Sequence, residues 1–555
     1  MEDYGHKMKP KGRTRQTCNK TSTLSSPRLE TMTNVDLILF NANVHTVNEK
    51  KPLAQAIAIK KAKISAVGSD KEILKLKTRR TTIIDLKRKT VLPGLVDCHV
   101  HLGSYAKTLQ QVGLRDVLSI RQLQRKLKEA AEQKPASSWI VARGFDQEKF
   151  EEKRMPNRFD LDRAVPDHPV LITRVCGHLS VANTRALELA GIGKISKTLE
   201  DAKIEKDPKT GEPTGVLLEN AIALVKEAIP KSEDKELLKI YGEACQKATE
   251  KGLTEIHCII ENLTEIHVIQ ELRKQGKLRI RINIMIPFEF FDDLKTSIVD
   301  SCQDKDRIKI RCIKIFADGS LGARTAALNA PYADDKTTKG ILISSQEKLE
   351  TLFEKVHGSG LQLAIHAIGD RAIETALAAL DNVLKKKPRK DHRHRIEHAS
   401  ILSPKLIHGM RKLGVIASVQ PHFVSSDFWI TQRLGKRRAR WAYPFKSLIR
   451  GNVNICAGSD CPIEPIDPLL GVWAAVAPKS PLQERLSVDE AIRMYTINAA
   501  FAGREEAIKG SIEPGKVADL TVLSQDPYNI EPSNIKNISV EMTIVDGEIV
   551  FGRKS

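Results

Sequence analysis

Short apolar segments alternate with helical patterns through most of the chain, and this alternation constrains the fold more than any other feature. One intervening segment, QEKLETLFEKVHGSG at 346–360, has helical periodicity and ends in glycines, as helices commonly do. Eight strands that alternate with helices predict an α/β fold, a closed parallel (β/α)8 TIM-like barrel whose chemistry lies at the carboxyl ends of its strands. The predicted strands lie at 90–101, 252–258, 281–288, 308–319, 361–370, 394–400, 414–422 and 452–460.

Further β-rich segments lie at both ends of the chain. Asp546-Gly547 divides the last of them and is a strong hairpin signal. Because the two groups have matching character, we predict a small β-sandwich domain that is built from both chain ends and brackets the barrel. The segments are 35–47, 56–67, 517–525 and 539–552.

These patterns give a domain division. We assign 32–90 to the N-terminal part of the sandwich, 91–505 to the barrel and 506–555 to the C-terminal part of the sandwich. Residues 1–31 are polar and basic without periodicity, which predicts a disordered tail. At about 139–225, the strand-like runs WIVARGF and HPVLITRV precede a stretch rich in Gly, Pro and Lys. We predict an insertion there, after barrel strand one, where insertions shape substrate access.

Composition narrows the functional classes. Hydrophobic residues make up 41% and charged residues 28% of the chain, as in soluble globular proteins. We find neither an uninterrupted apolar run of about 18 residues nor a secretory signal, so we expect a cytoplasmic protein without a membrane span. The net charge is +20, but basic runs such as LKKKPRK (384–390) and GKRRAR (435–440) lack interleaved aromatic residues. We therefore expect a solvated basic surface and no specific nucleic-acid partner.

The carboxyl ends of the predicted barrel strands carry ionisable residues. In LPGLVDCHVHLG, His99 and His101 stand at i and i+2, so both side chains point to one face of the strand. Alone, this pair is also compatible with two hydrogen-bonded core histidines. Four more strands end in ionisable residues, whose burial without a partner would cost several kcal/mol. A metal ion is a suitable partner, because imidazoles bind zinc, iron, manganese or nickel, and a carboxylate can also take a proton from bound water. The four residues are Lys314, His366, His398 and Asp460.

This ligand order on a barrel resembles that of the amidohydrolase superfamily. More narrowly, the sequence resembles the amidohydrolase family 3 group that contains N-substituted formamide deformylase, from about residue 35 to 552. The motifs that carry the resemblance are VLPGLVDCHVHL, VCGHLSVANTRALELAGI, GEPTGVLLENA, IKIFADGSLGARTAAL, AIHAIGDRAI, RIEHAS, AGSDCPIEPIDPL and GSIEPGKVADLTVL.

The resemblance implies one or two divalent metal ions, with zinc favoured. It implies that His99 and His101 bind the more buried ion and that Lys314, carboxylated on its amine, bridges to a second ion. It also implies that His366 and His398 bind the second ion, and that Asp460 is both a ligand and the general base. A carbamate is needed because a lysine ammonium has no lone pair. The alternative is an uncarboxylated Lys314 paired with Asp318 or Asp460 in a one-metal site.

Four further residues are weaker candidates. His178 lies in the insertion and either polarises a substrate carbonyl or has a structural role at a helix start. Arg174 either binds an anionic group of the substrate or forms a surface salt bridge. Glu219 and Asp318 are candidate substrate-binding residues or hydrogen-bond partners of the metal ligands. The turn in IKKAKISAVG lacks the glycine that is common in this family, which leaves its hairpin geometry open.

The predicted function is that of a metal-dependent hydrolase acting on carbon–nitrogen bonds other than peptide bonds. The expected substrate is a small amide, such as an N-formyl or N-acyl amine, attacked by metal-bound hydroxide. A deaminase or a hydrolase of cyclic amides or esters would use the same ligands. A non-catalytic scaffold on the same fold is a further alternative, although it should have lost ligands. Nucleic-acid binding through the basic surface is another. A homodimer is compatible with the sequence.

Overall fold

A computed structural model of the chain gives its architecture. The structure describes residues 35–175, 177, 179–193, 202–219, 221–230, 233–295, 307–478 and 482–553, without the side chains of Ala202 and Glu219. The predicted tail at 1–31 and His178 lie outside the described residues.

The centre of the molecule is a parallel sheet of eight strands, which confirms the predicted (β/α)8 barrel. Neighbouring strands follow the chain order, and a parallel bridge between Val100 and Cys461 links the last strand to the first. Every residue of strands one, two and three is buried, as expected where helices and interior side chains cover both faces of a sheet. Barrel strands one to eight are Leu95–Val100, Leu253–Ile259, Arg281–Pro287, Ile308–Phe316, Gln362–Ala367, Arg395–His398, Ile416–Val419 and Ile455–Ala457.

Helices cover the outside of the barrel. The predicted helix near 346 spans Gln346–Gly358, and the Ser345 side chain caps its first turn by accepting from the Lys348 amide. Between strands three and four the described residues form the short 3-10 helices Phe288–Phe290 and Asp292–Lys295. The other helices around the barrel are Leu102–Leu109, Asp234–Glu250, Thr264–Lys274, Asp370–Lys386, Pro404–Leu413, Phe423–Ser426, Ile430–Ala439, Phe445–Arg450, Pro468–Val476, Val488–Met494 and Ile497–Ala502.

The predicted first strand at 90–101 is in fact two strands. Thr90–Pro93 belongs to the sandwich, and the barrel strand begins at Leu95. The break falls at Gly94, where an added Cβ would lie 2.2 Å from the Thr254 hydroxyl oxygen. Only glycine fits this close approach, so the chain can pass from one sheet to the other there.

The insertion after barrel strand one forms its own six-stranded mixed sheet. It begins at Val112, earlier than the position near 139 that the strand-like runs indicate, because its first strand is only two residues long and has no β-pattern. Arg115 donates hydrogen bonds to the carbonyls of Pro462 and Ile463, which places this edge of the insertion next to the end of barrel strand eight. The sheet order is Ala202–Lys206, Pro213–Glu219, Leu179–Ala182, Val170–Arg174, Ile140–Phe145 and Val112–Gly113, with helices Ile120–Glu132, Arg158–Ala164, Thr184–Leu189 and Ala221–Glu227.

Two further sheets form the predicted sandwich from both ends of the chain. Leu39 and Ile57 of one sheet share a buried core with Val522 and Ile544 of the other. The first sheet has the order Lys63–Gly68, Ala56–Lys60, Leu37–Phe40 and Thr82–Asp85, with helix Asp70–Ile73 beside it. The second has the order Glu548–Gly552, Val540–Val545, Leu520–Leu523, Thr90–Pro93, Asn43–His45 and Leu53–Ala54.

Two hairpin turns of the sandwich use left-handed backbone. Asp546 and Gly547 have φ of 55° and 77°, as the Asp-Gly signal predicts. In the turn without glycine, Lys61 has φ of 53°, and the strands on either side still pair from Lys60 with Lys63. Among the described residues, no helix combines the length and apolar character needed to span a membrane.

Candidate metal centre

Backbone pairing between barrel strands one and eight brings His99, His101 and Asp460 together. The Asp460 amide donates to the His99 carbonyl at 2.8 Å, and the His101 amide donates to the Cys461 carbonyl at 2.9 Å. Strand eight can come this close because of Gly458, where an added Cβ would lie 2.5 Å from the His99 amide nitrogen. The closure of the barrel therefore sets the positions of these three side chains.

The three side chains meet at one carboxylate oxygen. Oδ1 of Asp460 lies 3.3 Å from Nε2 of His99 and 3.3 Å from Nε2 of His101. Candidate ligand atoms of His99, His398 and Asp460 all lie within 4.8 Å of one another. These separations are suited to ligands around one cation.

His398 and His366 complete the histidine cluster. The His398 ring centroid lies 4.9 Å from that of His99 and 4.4 Å from that of His366. Strand alternation alone would point His398 away from the face of its neighbour Glu397. His398 instead has φ of 72°, a left-handed conformation that breaks the alternation at the end of strand six.

Lys314 lies beside the cluster in the barrel interior. Its Nζ is 3.5 Å from Nε2 of His99, and the residue is 1% exposed. Burial lowers the pKa of Lys314 to about 8, although Glu397 and Asp460 favour its charged form. A larger fraction of the amine is therefore neutral at physiological pH than for an exposed lysine, and only a neutral amine can react with carbon dioxide.

Hydrogen-bond partners identify the nitrogen that two of the histidines leave available. Nδ1 of His398 donates to Oε1 of Gln420 at 2.7 Å, so the lone pair is on Nε2. Nε2 of His366 donates to the Gly319 carbonyl at 3.1 Å, so the lone pair is on Nδ1. Burial lowers the pKa of His366 to about 3 and that of His398 well below its usual range, so both rings are neutral, as metal ligands must be.

Asp460 is ionised despite its burial. Burial alone would raise the pKa of its carboxyl group, but its contacts with His101 and His99 hold the pKa well below the usual range. The carboxylate can therefore bind a cation or accept a proton at neutral pH. Its backbone φ is 59°, in the left-handed region.

The donor set fits a divalent metal ion. Neutral imidazoles and a carboxylate converge at the carboxyl ends of the barrel strands, where this fold places its chemistry. Nitrogen and oxygen donors of this kind suit zinc and related ions. The structure brings together all six side chains proposed as ligands: His99, His101, Lys314, His366, His398 and Asp460.

Asp318 and Arg174 already have protein partners. The Asp318 carboxylate accepts backbone N–H groups of Ala327, Ile368 and Gly369 at 2.9 to 3.0 Å, and burial raises its pKa to about 7 in spite of them. Arg174 ends an inserted strand and donates to Asp146 at 2.8 Å. Oδ1 of Asp318 also lies 3.7 Å from Nε2 of His366, so Asp318 borders the histidine cluster, whereas the contact of Arg174 is a salt bridge within the insertion. The side chain of Glu219, like His178, lies outside the described residues.

Several residues that contact the candidate ligands do not stand out from the sequence motifs. Glu397 Oε2 lies 2.5 Å from Nδ1 of His99, and Gln420 contacts His398. Oδ1 of Asp97 accepts the backbone amides of His99 at 3.1 Å and of Ser459 at 2.9 Å, which ties strand one to strand eight. Polar residues inside the apolar strands, such as Asp97 in VDCH and Glu397 in RIEH, were the available signal.

Comparison with known proteins places the chain in a family. The family model described as "Amidohydrolase family" matches residues 82–551. The Bacillus subtilis protein named "Putative amidohydrolase YtcJ" is 33% identical over 532 residues, covering 92% of this chain and 98% of YtcJ. N-substituted formamide deformylase of Arthrobacter pascens is 27% identical over 538 residues, covering 93% of this chain and 98% of that protein.

A solved structure agrees with these matches. An uncharacterized metal-dependent hydrolase from Pyrococcus furiosus superimposes with a TM-score of 0.73 and 30% sequence identity, covering 89% of this chain and 100% of that one. The family match, the hydrolase relatives and the shared barrel agree with what the sequence motifs predict. The chain is therefore an enzyme that belongs to the amidohydrolase family of metal-dependent hydrolases.

Proposed function

We propose that this enzyme hydrolyses carbon–nitrogen bonds other than peptide bonds, and that its substrate is a small N-formyl or N-acyl amine. The observation that carries the proposal is the position of the Asp460 carboxylate, 3.3 Å from Nε2 of both His99 and His101 within the histidine cluster. The similarity to N-substituted formamide deformylase over nearly the whole chain supports the choice of amide.

We propose that the centre binds one or two divalent ions, with zinc favoured by the nitrogen-rich donor set. His99 and His101 would hold the inner ion, His366 and His398 the second, and a carbamate on Lys314 would bridge them. The neutral amine that burial favours at Lys314 supports this modification. A divalent ion in such a site lowers the pKa of water towards neutrality and polarises a carbonyl oxygen.

Asp460 would move the proton. The ionised carboxylate accepts a proton from the attacking water and returns it to the leaving nitrogen as the carbon–nitrogen bond breaks. The products are a carboxylic acid and an amine, so the atoms of one water molecule are added across the bond. We retain His178 as the group that polarises the substrate carbonyl, because it lies in the insertion that borders this end of the barrel.

Apolar surface beside the cluster supports an apolar substituent on the substrate. Phe316 ends barrel strand four, is 41% exposed, and its ring centroid lies 5.1 Å from that of His366. An exposed aromatic ring next to the candidate ligands suits contact with an apolar group. We propose a small molecule of this kind as the partner, without nucleic acid or membrane, in a cytoplasmic enzyme.

A hydrolysis panel tests the proposal. Zinc-loaded protein is assayed against N-formyl amines, N-acyl amines, cyclic amides, esters and amino-substituted heterocycles, with Asp460→Asn at equal metal content as the blank. We expect cleavage of N-formyl or N-acyl amines and a loss of at least about 100-fold in kcat for the variant. Full turnover by Asp460→Asn would refute the role of Asp460, and ammonia release from heterocycles alone would identify a deaminase.

A further inference from the structure

Barrel strand six carries an ion pair in the barrel interior. Arg395 and Glu397 stand at i and i+2, so both side chains point to the same side of the strand, and they are 1% and 0% exposed. Nε and Nη2 of Arg395 each donate to one carboxylate oxygen of Glu397, the latter at 3.0 Å. A buried ion pair adds little stability by itself compared with apolar packing, so a second role for the pair has to be considered.

Glu397 contacts the first candidate metal ligand. Its Oε2 lies 2.5 Å from Nδ1 of His99, whose ring is fully buried. An ionised carboxylate can only accept hydrogen bonds, so the proton of this contact is on Nδ1. In a neutral imidazole the lone pair is then on Nε2, the nitrogen that lies 3.3 Å from Asp460 and 3.5 Å from Lys314.

Arg395 holds Glu397 in this position through three other strands. Its Nη2 donates to the Cys98 carbonyl at 2.6 Å on strand one and to the Ser418 hydroxyl at 2.8 Å on strand seven. Its Nη1 donates to Nδ1 of His257 at 2.9 Å on strand two. A guanidinium has donors only, so each of these contacts restrains its orientation.

We propose that Glu397 is a positioning residue that fixes His99 in the tautomer presenting Nε2 to the metal centre, and that Arg395 holds Glu397 in place. The inference rests on the metal centre proposed above. Three of the candidate ligand histidines have a described ring partner outside the ligand set: His398 bonds to a neutral amide and His366 to a backbone carbonyl, whereas His99 has an ionised carboxylate. A carboxylate partner makes an imidazole a stronger metal ligand, so His99 is the principal anchor of the centre.

Zinc affinity tests this role without relying on turnover. Full-length protein is stripped of metal and titrated with zinc against a chromophoric chelator in buffer that contains bicarbonate. Glu397→Gln removes the negative charge and should raise the Kd for zinc by about 10- to 100-fold. Glu484→Gln makes the same substitution at a buried glutamate outside the candidate metal centre, where the side chain accepts hydrogen bonds from Ser447, and it should leave the Kd unchanged. A wild-type Kd in folded Glu397→Gln would overturn the inference, whereas absence of zinc binding by the wild type would refute the metal centre itself.

A second measurement uses the wild-type sequence and so does not depend on the folding of a Glu397 variant. Metal-free protein labelled with ¹⁵N-histidine reports, by nitrogen chemical shift, which ring nitrogen of His99 carries the proton. The His99 signal is identified as the one that disappears in His99→Gln. We expect Nδ1 to carry a proton, and a ring whose only proton is on Nε2 would overturn the inference.

Discussion

His398 and Asp460 share an uncommon backbone conformation, with φ of 72° and 59° at the ends of two different barrel strands. Left-handed backbone is unfavourable for most L-residues, and asparagine and aspartate tolerate it better than others. In both cases the affected side chain joins the histidine cluster. The backbone thus bears local strain where the candidate ligands converge, as is common at functional sites.

Because of this left-handed backbone, two substitutions of Asp460 should differ in their effect on stability. Asp460→Asn should keep the fold, because asparagine also tolerates left-handed backbone. Asp460→Val should lower the stability by a further ~1–2 kcal/mol, because a β-branched residue is poorly suited to this conformation. Thermal unfolding of both metal-free variants measures the difference. Equal melting temperatures would show that the backbone at Asp460 relaxes freely.

Metal loading should depend on bicarbonate and on pH. Burial lowers the pKa of Lys314 to about 8, and only the neutral amine forms a carbamate. The neutral fraction rises about tenfold per pH unit below that value and levels off above it. Zinc uptake by metal-free protein should therefore be faster at pH 7.5 than at pH 6.5 and should need bicarbonate. Lys314→Arg stays charged, so it should show no bicarbonate response. If the wild type took up zinc equally fast with bicarbonate and in solutions free of carbon dioxide, the result would contradict a carbamate on Lys314.

Arg281 should be important for holding the sandwich against the barrel. It lies on barrel strand three and donates to the Asp519 carboxylate at 2.7 Å, and it also contacts Asp546. Arg281→Met leaves a buried carboxylate without its main partner and should destabilise the protein by about 3–5 kcal/mol. The double variant Arg281→Met/Asp519→Asn should recover part of the loss. Melting temperatures of the three proteins give the comparison, and an unchanged single variant would contradict it.

The contribution of the Arg281–Asp519 ion pair to stability should depend on pH. Burial alone would raise the pKa of Asp519, but the charge and hydrogen bonds of Arg281 lower it overall. Its contribution to stability is therefore complete above the unfolded-state pKa of about 3.9 and is lost as pH falls through the folded-state value. In Arg281→Met, the lone carboxyl group becomes easier to protonate. The difference in melting temperature between wild type and variant should shrink from pH 7 to pH 4, whereas a growing difference would contradict this reasoning.

Replacing Lys61 by glycine in its hairpin turn should stabilise the protein. Lys61 is exposed and has φ of 53°, a conformation that costs an L-residue about 1–2 kcal/mol and glycine much less. Lys61→Gly should raise the stability by up to about 1 kcal/mol. Lys63→Gly is the matched control, because Lys63 is exposed but lies in a strand, where glycine costs ~0.5–1 kcal/mol. Opposite shifts in melting temperature are expected, and a loss in both variants would argue against strain at Lys61.

Apolar patterning was sufficient to predict the barrel and to place six ionisable residues at its strand ends. Those features are local, because each strand is a short buried run that ends next to its polar residue. The contact between Glu397 and His99 joins residues 298 positions apart, and no local pattern indicates such a partner. The strand boundary at Gly94 and the two-residue strand at Val112 are local features, but they were also missed. A break at one residue and a strand of two residues do not change the periodicity of the sequence enough to be recognised.

The sandwich built from both chain ends determines when the molecule can be completed during synthesis. Thr90–Pro93 lies between Asn43–His45 and Leu520–Leu523 in one sheet, and the Leu95 amide bonds to the Thr521 hydroxyl across 426 residues of sequence. A ribosome adds about 5–20 residues per second, so the early strands wait roughly 20 seconds or more for their partners. During translation the apolar face of those strands stays exposed until Leu520–Leu523 has been synthesised. In that interval the exposed face is a binding site for a chaperone that acts on nascent chains.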